Sequence, residues 1–482
     1  MRLGQISVIY VLSQVLAAAI GFVATVYFAR VLGAEVLGFY AITLALVSWL
    51  GLVGNVGFSQ ALVKRLSEGQ EPEAYLAAGL VIKGVLVAVV AAGVFVFRDA
   101  IDAYVGTPVA AFVVVLVFVS LASSLVNAAL KGSHLVHVYA PLSTAKQAVR
   151  SLIMISLVYL GWELLGMLVG YAAGTIFLSL VGFLILRPGL RTPRRRHFER
   201  LFDFAKYSWL GNLRKKSFSE VDILVLGVFV SASLTGIYAV AYSLAKFLDI
   251  FGSAISTTLF PEMSKLSTDG DTDAIRSLTN DALSYAGLFL IPGLVGAALL
   301  GDRLMSIYSE EFAVGGVVLT ILIGALLVYT YTKQLLNTLN AIDRPDLAFR
   351  ANGAFVLANV VLNVVFVYRF GWVGAAVATA LSAGVGLVCS YYYLRSIVSF
   401  DVPVGEIARQ SLAAALMGVL VFLGRLVGEG HAISEFNVVF TTTLVAIGGG
   451  VYFLAYTALS PRFRHTVSNN LPLETLPVSR LR

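Results

Sequence analysis

The chain has 482 residues, of which 59% are hydrophobic and 13% charged, with a mean hydropathy of +0.88 and a formal net charge of +7. Soluble domains carry about 25% charged residues, so a soluble globule is excluded. Cys389 stands alone, which rules out an intrachain disulfide and any CxxC metal or redox pair.

Apolar runs of the length needed to cross a bilayer core, about 20 residues each, follow one another from end to end. The length rule predicts an all-α polytopic membrane protein of about fourteen spans. They start near Ile6, Val36, Tyr75, Val109, Pro141, Trp162, Tyr207, Leu234, Ala282, Val317, Gly353, Trp372, Ser411 and Phe436. In the first, "VLAAAIG" (Val15–Gly21) imitates a signal-peptide cleavage site, but the run continues through "FVATVYFARVLG" to Gly33. A signal peptide's apolar region is about 7–15 residues, so this span is expected to be retained.

Positive charge sets the expected orientation. With the N-terminus inside, 23 of the 34 Lys and Arg fall in inside segments and five outside, with six left within spans. Both termini are therefore expected in the cytoplasm. The inside set counts Lys146 and Arg150 as connector cations, and its densest block is "RTPRRRHFER" (Arg191–Arg200), placed to touch anionic lipid headgroups. The basic balance is thus a topology signal, and no nucleic-acid partner is expected.

An internal echo divides the chain. "LGAEVLGFYAITLAL" (Leu32–Leu46) links the first two spans and "VSASLTGIYAVAYSL" (Val230–Leu244) the seventh and eighth, with Gly38 and Gly236 198 residues apart. Two lobes are expected, residues 1–187 and 207–397, joined by a basic linker, 188–206, and followed by two further helices and a tail, 398–482. Transporters built from such repeats place their substrate between them.

Ionisable groups at bilayer depth cost at least about 2.5–3.5 kcal/mol and usually face a cavity or a partner. The third span holds Lys83 and the tenth Lys333; the seventh opens with Arg214, Lys215, Lys216, Glu220 and Asp222; the eighth holds Lys246 and Asp249. Helical spacing pairs Lys216 with Glu220 and Lys246 with Asp249, and sets Lys215 and Asp222 near one stripe. The six cations exceed the clear acids Glu220, Asp222 and Asp249, so the excess is expected to receive a phosphate-bearing anion. The site expected from these residues comprises Lys83, Arg214, Lys215, Lys246 and Lys333 for phosphate and glycan, with Glu220, Asp222 and Asp249 as ion-pairing acids. Gln14, Asn55, Gln60, Asn127, Gln334, Asn337 and Asn363 could line the same space or serve as interhelical hydrogen bonds.

Five stretches carry a resemblance: "YFARVLGAEVLGFYAI" (Tyr27–Ile42), "VDILVLGVFVSASLTGIYAVAYSLAKFLDIF" (Val221–Phe251), "LFPEMSKL" (Leu259–Leu266), "NAIDRPDLAFRANG" (Asn340–Gly353) and "GWVGAAVATALS" (Gly371–Ser382). The chain resembles the oligosaccharide (Wzx-type) flippases of the MATE-like MOP superfamily over about 460 residues. The resemblance implies two six-helix lobes around a cationic cavity, two appended helices and alternating access. The usual substrate is a glycan linked through phosphate or diphosphate to a polyprenyl lipid. It also adds Arg30, in "FARVLG", to the expected site and matches Asp222, in "D-x-L-x-L-G", to a recurrent position. Arg outnumbers Lys by 24 to 10, and the loops look similar to haloarchaeal proteins. That likeness implies a dolichyl phosphate carrier and a surface glycoprotein such as an S-layer. No cofactor is expected, the chain is taken as a monomer, and its functional partners would be glycosyltransferases and an oligosaccharyltransferase.

Other classes fit less well. "STDGDTDAIRS" (Ser267–Ser277) holds two DxD triplets, but no soluble domain surrounds them as a glycosyltransferase would need, and the EF-hand positions for Gly and Glu hold Ala274 and Asn280. His134 and His137 lack a third ligand. A glycan polymerase or ligase should carry a long outside loop. A cation-coupled drug exporter of the same superfamily should hold carboxylates deep in spans one to six, where almost none occur.

Overall fold

A computed structural model describes residues 3–470 apart from 54, 56, 188, 190, 269 and 270. No strand occurs among the described residues. In chain order the helices are α1 (Leu3–Val53), α2 (Phe58–Ser67), α3 (Pro72–Val96), α4 (Arg98–Val105), α5 (Ala110–Gly132), α6 (Val136–Tyr159), α7 (Glu163–Leu186) and α8 (Arg195–Phe229). They continue as α9 (Ala232–Thr268), α10 (Thr272–Ala286), α11 (Leu290–Ser306), α12 (Gly316–Ala341), α13 (Pro345–Arg395), α14 (Val404–Glu429), α15 (Asn437–Leu459) and α16 (Pro461–Asn470). A 3-10 turn, Glu310–Gly315, precedes α12.

Among the described residues, nine stretches are long and apolar enough to cross a membrane. Two of them, α1 and α13, are each broken at a glycine with positive φ, Gly33 (φ 76°) and Gly371 (φ 62°). That backbone is open to glycine at little cost and disfavoured for other residues. α6, α8 and α9 are not among the nine.

Helices α1–α7 pack among themselves, as do α8–α13, while α14 and α15 pack on each other and on α11. The first two sets share one apolar core, with Ile42, Val113 and Leu168 from one side and Leu226, Tyr238 and Leu319 from the other. α1 against α9 is the main seam between them. There a Cβ on Gly38 would lie 1.8 Å from the Ala232 carbonyl oxygen, and one on Gly236 would lie 2.0 Å from that of Ala34. The sequence echo is therefore a pair of Ala-x-x-x-Gly segments crossing backbone to backbone, as small residues permit in membrane helices.

The start of α8 binds the first set. Leu201 and Ala205 join Phe58, Leu62, Tyr75 and Leu76 in one buried cluster. The Arg194 N–H donates to His197 Nδ1 at 2.8 Å, so Nε2 carries the ring proton and donates to Glu71 Oε2 at 2.8 Å. Arg196 reaches the same carboxylate at 2.5 Å. The hydrogen bond from His197, with help from Arg196, holds the Glu71 carboxyl below its usual range. Asp271 of the "DxD" stretch caps α10 by accepting from the Ala274 N–H at 2.9 Å, while Asp269 lies outside the described residues.

Candidate functional site

Between α1 and α6 on one side and α8 and α9 on the other lies a cavity of about 600 Å³. Its walls are mixed: Phe22, Phe28, Leu44 and Met154 are apolar, while Gln14, Thr25, Tyr40, Gln147 and Ser243 are polar. Three charged side chains line it, Arg150 from α6, Glu220 from α8 and Lys246 from α9. Toward Gly33 a group of contacts, called the seal below, ties the two helix sets together. Arg30 donates from Nε and Nη2 to the Ile307 carbonyl at 3.1 and 2.8 Å, and the Ala34 N–H donates to Glu311 at 2.8 Å. Phe22 meets Tyr308 edge-on at 5.7 Å, and the Gly38 and Gly236 crossing lies beside them.

The expected site residues fall in several places, and of those whose side chains are described only Glu220 and Lys246 line this cavity. Glu220 accepts from Lys216 at 3.1 Å, as helical spacing implied, and also from Ser48 of α1 at 2.8 Å, which bridges the two helix sets. Its second oxygen is buried without a hydrogen-bond partner. Lys246 does not pair with Asp249. It lies 5.8 Å from the centre of the Tyr242 ring and makes no ion pair among the described residues. Asp249 is taken by α12 instead, which packs along that side of α9. Thr330 donates to Oδ1 at 2.8 Å, and Lys333 reaches Oδ2 at 3.3 Å. Ser253 of α9 donates to that same oxygen at 2.9 Å.

Asp222 is 2% exposed and sits inside the second helix set. Tyr238 donates to it, and Thr379 lies 2.8 Å from both carboxylate oxygens. Ser217 donates to Asn359 Oδ1, Asn359 Nδ2 to Thr379, and Asn363 Nδ2 to the Asn359 carbonyl, which extends this network. Arg214 sits 5.4 Å from the Tyr329 ring centre, with Nε and Nη1 buried and without hydrogen-bond partners. Lys83, 5% exposed, is enclosed in the first set by Asn55 at 3.2 Å, Ser59 at 3.0 Å and Ser124. Arg30 belongs to the seal. The side chain of Lys215 lies outside the described residues. No cluster of three or more His, Cys, Asp or Glu able to hold a metal occurs among the described residues.

One lining residue was misplaced by sequence reasoning. Arg150 was counted with the connector cations, yet it lies in the middle of α6. The signal was present in "QAVRSLIMISLVY", where an arginine is followed by nine residues without a charge. The echo also had a second meaning: Tyr40 and Tyr238, each two residues after its glycine, hydrogen bond to Arg150 and Asp222 respectively.

The model of a family described as polysaccharide biosynthesis protein matches residues 3–267. A relative from Haloferax volcanii, "Probable flippase AglR", is 29% identical over 460 residues, covering 94% of this chain and 95% of the relative. A second from the same organism, "Probable low-salt glycan biosynthesis flippase Agl15", is 28% identical over 473 residues, covering 98% and 99%. The fold is similar to a solved structure of "Lipid II flippase MurJ, inward closed conformation", with TM-score 0.80 and 16% identity over 95% of this chain and 100% of that one. It is more distantly similar to a MATE transporter in complex with MaL6, with TM-score 0.57 and 14% identity over 81% and 96%. Because the family model covers more than half its length, the chain belongs to the polysaccharide biosynthesis protein family.

Proposed function

We propose that this protein is a flippase, a transporter rather than an enzyme, that moves a polyprenyl phosphate- or diphosphate-linked oligosaccharide from the cytoplasmic to the outer leaflet. The observation that carries this reading is the mixed polar and apolar cavity between two helix sets that cross backbone to backbone at Gly38 and Gly236. The relatives named as flippases along almost the whole chain support it. The fold is more similar to that of a lipid II flippase, with TM-score 0.80, than to that of a multidrug resistance MATE family transporter, with TM-score 0.56, which agrees with it.

In this reading the protein is a monomer that crosses the cell membrane fourteen times, with both termini in the cytoplasm and the Gly33 end outside. Lobes 1–187 and 207–397 rock about linker 188–206, and 398–482 adds two helices and a tail. The phosphate meets Lys246 with help from Lys216, Arg214 and Lys333, and Lys215 is proposed for the same role from its place in the sequence; Glu220, Asp222 and Asp249 set the charge balance. Arg30 and Lys83 act further off, at the seal and inside the first lobe. The glycan occupies the cavity while the prenyl tail stays among membrane lipids. In this reading the carrier is dolichyl phosphate, loaded by glycosyltransferases and unloaded by an oligosaccharyltransferase for S-layer glycosylation; the likeness to flippases of Haloferax supports it. A ligand biases the lobes only through different affinity for their two arrangements, so release requires the phosphate contacts to weaken once the seal opens.

Deletion of the gene should leave one lipid-linked glycan on the inner leaflet and remove it from surface products. Complementation with Lys246→Gln should restore membrane insertion but not delivery. Unchanged surface glycans in the deletion strain would overturn the reading.

A further inference from the structure

Arg150 is a guanidinium in the middle of α6, and no carboxylate among the described residues pairs with it. Its surroundings hold it without neutralising it. It donates to the Tyr40 hydroxyl and lies 4.7 Å from the centre of the Tyr171 ring. The backbone beneath it is fixed by close packing, since a Cβ on Gly174 of α7 would lie 2.6 Å from the Arg150 Cβ. An arginine has five N–H donors in a rigid fork, and Tyr40 takes only part of that capacity. Gln147, one turn earlier, lines the same cavity. Across it stands Lys246, which also makes no ion pair among the described residues, while Glu220 is already engaged by Lys216.

Resting on the flippase reading, we propose that Arg150 is the anion-binding residue of the first helix set, holding the phosphate of the lipid carrier jointly with Lys246. An unpaired cation at this depth is costly, and two aromatic neighbours offset only part of that cost. The cavity is the open volume its remaining donors can reach, and a phosphate group offers the oxygens that suit a guanidinium fork. Because Arg150 and Lys246 belong to different helix sets, one bound phosphate spans the seam. Arg150 is therefore a residue through which the substrate's charge acts on the arrangement of the two sets.

The test uses the purified full-length protein in nanodiscs and three probes: a C20 prenyl diphosphate, the uncharged C20 prenol, and inorganic pyrophosphate. A charged hydrogen bond contributes about 1.5–3 kcal/mol, which is a loss of about 10–100-fold in affinity. Arg150→Gln should weaken the prenyl diphosphate by that factor and leave prenol binding unchanged. Arg150→Lys should recover part of the loss, because charge returns without the fork. Inorganic pyrophosphate should lose affinity in parallel if the phosphate itself is read, and the gap between it and the prenyl diphosphate measures the lipid's share. Binding of the diphosphate by Arg150→Gln within twofold of the wild type overturns the assignment, even where Lys246→Gln abolishes binding and the flippase reading stands. Equal loss of prenol and diphosphate also overturns it, since only packing was then removed. A wild-type protein that does not distinguish prenyl diphosphate from prenol overturns both this assignment and the headgroup reading beneath it.

Discussion

An acid in a membrane helix is matched by whatever the packed neighbour delivers, and Asp249 shows how far that departs from sequence distance. Its partner Lys333 is 84 positions along the chain, while Lys246, three away, faces the cavity. Both members of the Asp249–Lys333 pair are largely buried, with side chains 14% and 18% exposed. Removing one partner of a buried pair costs about 3–5 kcal/mol, whereas replacing both by neutral groups is far less harmful. Lys333→Met should therefore lower thermal stability in detergent clearly, and Asp249→Asn/Lys333→Met should recover most of the loss. Additive losses in that double-mutant cycle would show that the two side chains act independently. If Lys333→Met stops transport at unchanged stability, its role is in the phosphate path.

At the scale of elements, the crossing of α1 and α9 is a contact between backbones, and the residue that forms it is an absence of side chain. Gly38→Ala and Gly236→Ala should each force the seam apart and cost about 1–3 kcal/mol, the usual range for overpacking. Gly84→Ala supplies the control, because nothing lies within 4 Å of the Cβ it would add. Equal thermal shifts for Gly84→Ala and Gly38→Ala would contradict the crossing. The start of α8 adds a pH-dependent tie. The folded-state pKa of Glu71 lies below its usual value, so its stabilising contact is present above the ordinary glutamate range and is lost as pH falls through the folded value. Glu71→Gln should lower thermal stability in detergent at neutral pH, and acidification through the folded value should bring the wild type toward that of the variant. The Lys216–Glu220 pair was legible because it follows from spacing within a single helix, and the echo because it is a likeness of two stretches of sequence. The Gly–Ala crossing, the Asp249–Lys333 pair and the cavity position of Arg150 were not. Each depends on which helix is set beside which, and Arg150 also on where α6 begins.

For the whole molecule, the seal and the cavity bear on one equilibrium, between the arrangement seen here and one open at the Gly33 end. Arg30 to Ile307, Ala34 to Glu311 and the paired glycines all stabilise the closed seal. Converting a 99:1 population to an even one takes about 2.7 kcal/mol, which is within reach of one overpacking substitution at the crossing. Ser243 provides the reporter, since it is exposed and lines the cavity. In a Cys389→Ser background, Ser243→Cys in oriented vesicles should react with a membrane-impermeant maleimide from the cytoplasmic side and only weakly from the other. Adding Gly236→Ala should raise labelling from the outer side at least several-fold and lower it from the inner side, because one population is exchanged for the other. Loss of reactivity from both sides would mean that the substitution collapses the cavity, and gain from both would mean that it unfolds the seam. Only the reciprocal change supports a two-state seal, and it would make Gly38 and Gly236 the residues that set how long the cavity stays closed to the outside.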